Sequence, residues 1–306
     1  MTTILLMGPT AAGKSALALE LAEAFGGEIV SVDSAQVYRD MDIGTAKPDR
    51  ATRERVPHHL IDVVAPTAAY SAARFAADAT VAIGTVRARG RVPIVAGGTM
   101  LYFKALTEGL SDLPGADPAI RAALDRDAAV RGWPALHAEL AALDPEAAVR
   151  IRPADGQRIQ RALEVLELTG ERLSRLQKLA SPAPLAFAAF ALVPDDRVAL
   201  YTRIDARFRR MMEEGFLDEV RALRARGDLD PDLPSLRSVG YRQLWTHLAG
   251  ACSLEQAVAE GQRATRNLAK RQLTWIRSEP AWQPLRRLDI EELAPIEQVL
   301  RISADA

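Results

Sequence analysis

The amino-acid sequence predicts an α/β fold, in which a parallel sheet core carries helices on both faces and an all-helical insertion domain interrupts the chain. Two observations support this prediction. Short β-type runs alternate with segments of helical periodicity in the first third of the chain, and such alternation is typical of a parallel sheet covered on both faces. Between Gly109 and Pro184 only helical periodicity is found, bounded by stretches rich in glycine and proline.

The elements of the first third follow one another in a regular order. Apolar runs and helical repeats alternate along Ile4–Met7, Lys14–Phe25, Glu28–Val32, Ala72–Arg87 and Val92–Ala96. The connection from Ser34 to Ser71 is long and polar and contains three prolines. A connection of this length inside a compact domain is usually functional, so we expect it to border the site.

The rest of the chain is mainly helical. Helical periodicity covers Ala119–Arg131, Pro134–Ala142, Ala154–Leu168 and Arg172–Leu179 in the insertion. A β-type run returns at Leu185–Val193, and helical segments follow at Val198–Glu214, Leu217–Arg226, Tyr241–Ala249 and Leu254–Arg277. We therefore predict a core formed by residues 1–113 and 185–306, and a separate helical domain at 114–184.

Composition excludes several classes of protein. The chain has 306 residues with 39 Lys+Arg against 40 Asp+Glu, so it is not uniformly basic, although one face can still be. The single cysteine, Cys252, cannot form an internal disulfide or a cysteine-based zinc site. No apolar run reaches the roughly 18 residues of a membrane span, and the N-terminus lacks the features of a secretory signal. We expect a cytoplasmic protein that acts as a monomer away from membranes.

The strongest motif fits the G-x-x-x-x-G-K-[ST] pattern of a phosphate-binding loop. It consists of Gly8, Pro9, Thr10, Ala11, Ala12, Gly13, Lys14 and Ser15. The motif follows a predicted strand and opens a predicted helix, which is the context that the pattern requires. Backbone N–H groups and the helix dipole would bind a phosphate. The Lys14 charge would meet a phosphate, and the Ser15 hydroxyl could hold Mg²⁺. The core is therefore predicted to be of the P-loop type, typical of ATP and nucleotide binding, although the pattern does not specify which phosphates bind.

An acidic residue follows the second predicted strand. Asp33 comes directly after Ile29–Val32, and ligands bind at the carboxyl edge of open α/β sheets. A carboxylate there could hold Mg²⁺ or act as a general base, or it could simply cap the turn that begins with Ser34. The strand Val92–Ala96 ends in Gly97, Gly98 and Thr99 and offers no comparable acid.

Seven motifs occur in order along the chain: Gly8–Ser15, Val32–Tyr38, Met41–Pro48, Pro57–Leu60, Gly97–Tyr102, Ser238–Gln243 and Lys270–Trp275. As a set they closely resemble the tRNA isopentenyl transferase family, the bacterial tRNA dimethylallyltransferases. The resemblance extends from Ile4 to Arg277. With a single cysteine, we do not expect the zinc-finger extension of eukaryotic members.

The resemblance implies an activity and roles for particular residues. Members transfer a dimethylallyl group from dimethylallyl diphosphate to N6 of adenosine 37, next to the anticodon, in tRNAs that read codons beginning with U. The products are N6-isopentenyladenosine and diphosphate. The phosphate loop with Lys14, Thr10 and Mg²⁺ would then hold the diphosphate, Asp33 would be the general base, and Arg203 and Arg207 would assist.

The resemblance also implies a tRNA-binding set that contacts the anticodon stem-loop. It comprises Asp33, Ser34, Ala35, Gln36, Thr99, Arg121, Gln157, Arg158, Ile159, Gln160, Arg161, Lys270, Arg271, Gln272, Leu273, Thr274, Trp275, Ile276 and Arg277. Gln36 is suited to the adenine edge, because an amide pairs with the donor and acceptor of adenine. The stretch Gln262–Arg277 contains five cations and no acid, which favours contact with RNA phosphates. The helical domain would add a second tRNA-binding surface.

Two other functions are compatible with parts of the pattern. A P-loop small-molecule or nucleoside kinase shares the strand–loop–helix unit and an acid after the second strand. An RNA-binding module with a relict phosphate loop would explain the basic stretch, although the intact Lys14, Ser15 and Asp33 argue against it. Adjacent His58 and His59 form too small a group for a metal site, and we interpret them as structural.

Overall fold

The computed structural model describes residues 2–111, 113–178, 187–279 and 283–285. The chain forms two compact units. The core unit comprises Met1–Leu106 and Pro184–Ala306, and the inserted unit comprises Thr107–Ala183. The sequence predicts the start of the insertion at 114, whereas the compact unit begins at 107.

The core unit contains a six-stranded parallel sheet. Its strands are β1 (Thr3–Met7), β2 (Gly27–Val32), β3 (His58–His59), β4 (Val92–Gly97), β5 (Phe187–Leu192) and β6 (Gln283–Leu285). Their spatial order is β3-β2-β4-β1-β5-β6, and all pairings are parallel. The register places Leu5 of β1 between Val95 of β4 and Ala189 of β5. The predicted α/β fold class is confirmed, whereas β3 and β6 were not predicted.

Thirteen helices lie in the described residues. They are α1 (Lys14–Phe25), α2 (Arg50–Arg55), α3 (Ala72–Ala88), α4 (Met100–Thr107), α5 (Pro118–Arg131), α6 (Trp133–Leu143), α7 (Pro145–Arg150), α8 (Gly156–Thr169), α9 (Leu173–Gln177), α10 (Arg197–Glu213), α11 (Phe216–Ala225), α12 (Tyr241–Leu248) and α13 (Leu254–Ser278). Helices α5–α9 belong to the inserted unit. None of these helices is long and apolar enough to cross a bilayer.

Both faces of the sheet are covered, because side chains alternate between faces along each strand. Ile4 and Leu6 of β1 pack with Leu17 and Leu21 of α1. Leu5 and Met7 of β1 belong to a larger cluster on the other face, which includes Phe75 of α3, Phe103 of α4, Leu244 of α12 and Ile276 of α13. The carboxyl ends of the buried strands consequently meet at one edge, where the phosphate loop begins.

The inserted unit has a hydrophobic core of its own. This core includes Leu136 and Leu140 of α6 and Ile159 and Val165 of α8. Buried Asp144 joins two of its helices, because its carboxylate accepts hydrogen bonds from Ala147 N at 3.1 Å and from Ser174 N at 2.9 Å. Packing of this kind is what a separately folded helical domain requires.

Candidate active site

The phosphate loop joins β1 to α1 in the conformation that its glycines allow. Gly13 has φ +98° at the N-cap of α1, and Ala11 also has a positive φ of 62°. A Cβ at Gly8 would come within 2.8 Å of the Leu192 carbonyl oxygen, so the close approach of β5 requires glycine. The Lys14 ammonium donates to the Pro9 carbonyl oxygen at 2.7 Å and so folds back across the loop. The predicted loop therefore has a geometry suited to an anion.

Cationic side chains surround the loop in a cavity of about 750 Å³, here called the phosphate cavity. Its lining includes Lys14, Ser15, Arg203, Arg207 and Arg210. The Arg207 guanidinium donates to the Thr10 hydroxyl at 3.4 Å, whereas Arg203 is an exposed member of the lining. Of the two arginines that the sequence could not separate, Arg207 is the one that contacts the loop.

Burial and charge repulsion lower the proton affinity of this cluster. Burial, and then the neighbouring Arg207, lower the pKa of Lys14 to about 7, while Asp33 opposes the change. Burial also lowers the pKa of Arg207. Desolvated cations beside one another favour an anionic ligand, because such a ligand restores the lost electrostatic stabilisation.

Asp33 lies at the carboxyl end of β2, on the wall of the phosphate cavity. Its Oδ1 accepts hydrogen bonds from Ala35 N at 2.8 Å and Gln36 N at 3.4 Å. Within the part of the chain that the structure describes, Oδ2 has no hydrogen-bond partner. One oxygen thus performs the capping role that the sequence allowed, and the other is available to a substrate.

A second cavity of about 490 Å³, here called the aromatic cavity, adjoins the first. Met100, Phe208, Tyr241 and Trp275 contribute to its lining. Thr10, Asp33, Gly98, Arg207 and Gln272 line both cavities. Asp33 therefore lies where a cationic space meets an apolar one.

The turn that follows Asp33 is held by a second loop. The Thr99 hydroxyl accepts a hydrogen bond from Ser34 N at 3.0 Å and lies 3.3 Å from the Ser34 hydroxyl. The Gln36 amide is also engaged, because it accepts from Ser31 at 2.9 Å and donates to the carbonyl oxygens of Thr45 and Ala46 at 3.2 and 3.3 Å. Adenine recognition by Gln36 stays a prediction that requires these bonds to be exchanged.

Lys47 organises the long connection and was given no role in the sequence analysis. Its side chain is 2% exposed. Its ammonium donates to the Tyr38 carbonyl oxygen at 2.5 Å, to Asp42 at 2.7 Å and to Asp62 at 2.6 Å. Arg53 also pairs with Asp62 at 2.8 Å. The only signal in the sequence was the position of Lys47 inside one of the seven motifs.

The predicted tRNA-binding residues of α13 separate into two groups. Lys270, Arg271, Thr274 and Arg277 are exposed, and they stay predicted tRNA contacts. Gln272, Leu273 and Ile276 are buried, and Trp275 is partly buried against the core. Leu273 and Ile276 are therefore corrected from tRNA contacts to core residues, because helical periodicity turns Leu273 toward α10 and Ile276 toward the larger core cluster.

The inserted unit requires a similar correction. Ile159 is fully buried in the core of this unit and cannot present its side chain to tRNA. Arg121 and Arg161 bind the buried Glu164 at 2.8 and 2.6 Å, so the structure gives both a structural role. Gln160 donates to Asp125 at 2.7 Å. Of the predicted run, Gln157 and Arg158 are exposed.

The parallel sheet, the phosphate loop and the acid at the carboxyl edge together define a P-loop-type α/β protein, in which ligands bind at the carboxyl edge of the sheet. In the described residues no group of three or more histidine, cysteine or acidic side chains could hold a metal ion.

Comparison with known proteins identifies the family. The family model described as IPP transferase matches residues 36–279, and the model described as Isopentenyl transferase matches residues 1–63. The chain belongs to the IPP transferase family, also called tRNA isopentenyl transferases. Proteins named tRNA dimethylallyltransferase are similar to it: the one from Bordetella petrii is 58% identical, covering 90% of each chain, and the one from Ralstonia nicotianae is 54% identical, covering 99% of this chain and 95% of its own.

Solved structures of similar proteins agree with this placement. The full-length tRNA isopentenylpyrophosphate transferase from Bacillus halodurans is 36% identical with a TM-score of 0.71, covering 99% of this chain and 96% of that one. A eukaryotic dimethylallyltransferase described as acting on tRNA is 27% identical with a TM-score of 0.78, covering 99% and 79%. The family confirms the resemblance drawn from the motifs, and the kinase and relict RNA-binding alternatives are set aside.

Proposed function

We propose that the protein prenylates tRNA by transferring a dimethylallyl group from dimethylallyl diphosphate to N6 of adenosine 37. The observation that carries the proposal is the position of Asp33, which lines both the cationic and the aromatic cavity. A diphosphate in the first cavity and a purine in the second would meet at this carboxylate. The names of the relatives supply the acceptor, a tRNA, and the donated group.

The proposed reaction is a substitution at carbon and needs no oxidant or reductant. N6 of the adenine attacks C1 of the dimethylallyl group, a C–N bond forms, and the C–O bond to the diphosphate breaks with its electron pair on oxygen. The N6 proton passes to Asp33, whose Oδ2 is the available oxygen. General-base catalysis of this kind contributes about 10²–10⁴-fold.

The phosphate loop supports departure of the diphosphate. Negative charge grows on the leaving oxygens, and preformed donors placed at such a charge lower the barrier. The Thr10 hydroxyl, held by Arg207 at 3.4 Å, and the Lys14 ammonium are the side chains best placed to provide these donors. Arg203 and Arg210 add positive charge to the same cavity.

The residues present also fit a magnesium ion bound together with the diphosphate. Mg²⁺ is typically held by one or two protein oxygens plus substrate phosphates. Ser15 is exposed at the start of α1 and lines the phosphate cavity, as does Asp33. We propose Ser15 as the protein ligand, and the ion would neutralise part of the diphosphate charge.

The proposed tRNA contacts are the exposed cations. Lys270, Arg271 and Arg277 make no ion pair with any described residue and are free to bind phosphates, while Gln157 and Arg158 offer further polar contacts on the inserted unit. Since the proposed substrate is tRNA, we expect the protein to act in the cytoplasm. We propose that it works as a monomer, because the described part of one chain supplies both cavities.

The test uses radiolabelled dimethylallyl diphosphate and an unmodified anticodon stem-loop, scored for label in the RNA. We expect label in RNA with adenosine 37 and none in a matched stem-loop with guanosine there, which lacks the N6 amine. The variant Asp33→Asn should bind both substrates but lower single-turnover transfer at least ~10²-fold. Absence of label from the adenosine RNA would refute the proposed function, and near-parental turnover of Asp33→Asn would refute the general base.

A further inference from the structure

Gln272 faces the interior of the protein from a helix whose neighbouring positions carry exposed polar groups. It is 6% exposed, whereas Lys270, Arg271 and Thr274 are exposed. Its amide oxygen accepts a hydrogen bond from Thr10 N at 2.9 Å, and its amide nitrogen donates to the Gly98 carbonyl oxygen at 2.8 Å. Both ends of the amide are therefore satisfied by backbone groups of two different loops.

Gly98 permits this contact. A Cβ at position 98 would come within 2.5 Å of the Gln272 amide nitrogen, which real side chains do not tolerate. Gly98 N and Thr99 N both donate to the Val32 carbonyl oxygen, at 3.1 and 3.2 Å. The loop that Gln272 holds is thus bonded directly to the residue before Asp33.

The amide oxygen of Gln272 contacts the phosphate loop, where the diphosphate would bind. Thr10 N belongs to the phosphate loop, and the hydroxyl of the same residue accepts the hydrogen bond from Arg207. Gln272 lines both cavities. A single side chain therefore bridges the loop that would hold the leaving group and the loop that anchors the general base.

We propose that Gln272 is a positioning residue that sets the separation between the phosphate loop and Asp33, and that it is not a tRNA contact. The inference deepens the proposed function and rests on it. Its physical basis is that a buried amide whose oxygen and nitrogen both form hydrogen bonds fixes the distance and the orientation between the two loops that it joins. Misplacement of reacting groups by about 1 Å can cost ~10²-fold in rate.

Three variants test this role. Gln272→Met keeps the shape but removes both hydrogen bonds. Gln272→Glu can still accept from Thr10 N, yet it cannot donate to the Gly98 carbonyl oxygen when ionised. Gly98→Ala leaves Gln272 in the sequence and displaces it by steric contact. Asn267→Ala, exposed on the same helix, is the matched control.

The measurements separate positioning from RNA contact. We expect each of the three variants to lower kcat for transfer by at least about tenfold, within the range that small misplacements cause. The dissociation constant for tRNA and its salt dependence should stay at the parental value. Inorganic diphosphate should bind more weakly to Gln272→Met, because the phosphate loop loses the hydrogen bond that holds Thr10 N, and this titration does not depend on transfer.

A double-mutant cycle adds a second criterion. If Gln272 acts through Gly98, Gln272→Met combined with Gly98→Ala should cost no more than the worse single variant, because residues in one network are not additive. Circular dichroism of each variant identifies any that fail to fold, and the conclusion then rests on the variants that remain folded.

Two outcomes overturn the proposal. One is parental kcat with weaker tRNA binding, which would make Gln272 an RNA contact after all, and the other is parental behaviour in every measurement. If the unaltered protein transfers no label to RNA, the proposed function fails instead, and weaker binding of inorganic diphosphate by Gln272→Met would still report on the position of Thr10.

Discussion

The Tyr241 hydroxyl donates a hydrogen bond to the Glu219 carboxylate at 2.5 Å. The same carboxylate accepts from the backbone N–H groups of Asp42, Ile43 and Gly44 at 2.7, 2.7 and 3.2 Å. Helices α11 and α12 are thereby joined to the long connection between β2 and α3. Gly44 and Tyr241 line the aromatic cavity, so Glu219 shapes the wall of a site that it does not enter.

Removing the Glu219 carboxylate should destabilise the fold more than removing the Tyr241 hydroxyl that donates to it. In Glu219→Gln, an NH₂ group replaces one carboxylate oxygen and cannot accept hydrogen bonds from the backbone N–H groups that face it. We expect the free energy of unfolding to fall by about 2 kcal/mol. Tyr241→Phe keeps the three backbone bonds and should cost about 1 kcal/mol. Urea unfolding of the full chain measures both values, and equal losses would contradict the assigned role of the backbone bonds.

Binding of diphosphate should take up a proton at Lys14. In the free protein burial, and then Arg207, bring the pKa of Lys14 to about 7, and an added anion raises it again because it favours the charged form. The bound state therefore holds more protons above pH 7. Affinity for inorganic diphosphate should fall as pH rises, by up to about tenfold per pH unit for one proton.

The ligand also titrates, so the control is essential. Isothermal titration from pH 6 to pH 9 on the parent and on Lys14→Met separates the two contributions, since the methionine variant retains only the titration of the ligand. The difference between the two profiles should show the additional loss of affinity with pH. Parallel profiles would mean that Lys14 does not take up the proton.

Lys270 and Arg271 should govern the salt dependence of tRNA binding. Each phosphate contact contributes roughly 0.7–0.9 to the slope of log affinity against log salt, so Lys270→Ala/Arg271→Ala should bind more weakly and flatten the slope by about one to two units. Arg263→Ala is the control, because Arg263 already pairs with Glu260 at 3.0 Å. Tracking of the RNA backbone by α13 would be refuted if the double variant and the control had the same slope.

Glu164 should make the inserted unit sensitive to acid. Burial alone would raise its pKa, but hydrogen bonds from Arg121 and Arg161 outweigh burial and lower the pKa to about 2 from 4.5. Because the folded pKa lies below the unfolded one, the stabilisation is complete above pH 4.5 and decreases as pH falls toward 2. The protection factors of the α8 amides, which correct each exchange rate for its intrinsic dependence on pH, should therefore fall as pH decreases between these values.

The corresponding variant tests the same ion-pair cluster at neutral pH. Glu164→Gln leaves two arginines beside a neutral group, and breaking a buried pair costs about 3 kcal/mol or more. Glu167→Gln, exposed on the same helix, is the control and should exchange like the parent. If Glu164→Gln also exchanges like the parent, the cluster does not stabilise the unit.

Local sequence was enough to predict the features that depend on neighbouring residues. The alternation of short β-type runs such as Ile4–Met7 with helical segments such as Lys14–Phe25 predicts a parallel sheet covered on both faces. The glycines of the phosphate loop predict its turn, because glycine adopts the positive φ angles of such a turn without steric cost. The position of Asp33 after a buried strand placed it at the carboxyl edge, where the structure has it. The seven motifs together were sufficient to predict the family.

The pairing of polar side chains with one another depends on how the folded chain brings distant residues together. Gln272 was predicted to face RNA with its basic neighbours, yet it binds loops 262 and 174 residues away in the sequence. Arg121, which was predicted to bind tRNA, pairs with Glu164, 43 residues later, and nothing in the sequence indicated this partner. No local pattern encodes such partners, because a long polar side chain takes the nearest complementary group that the folded chain brings within about 3 Å.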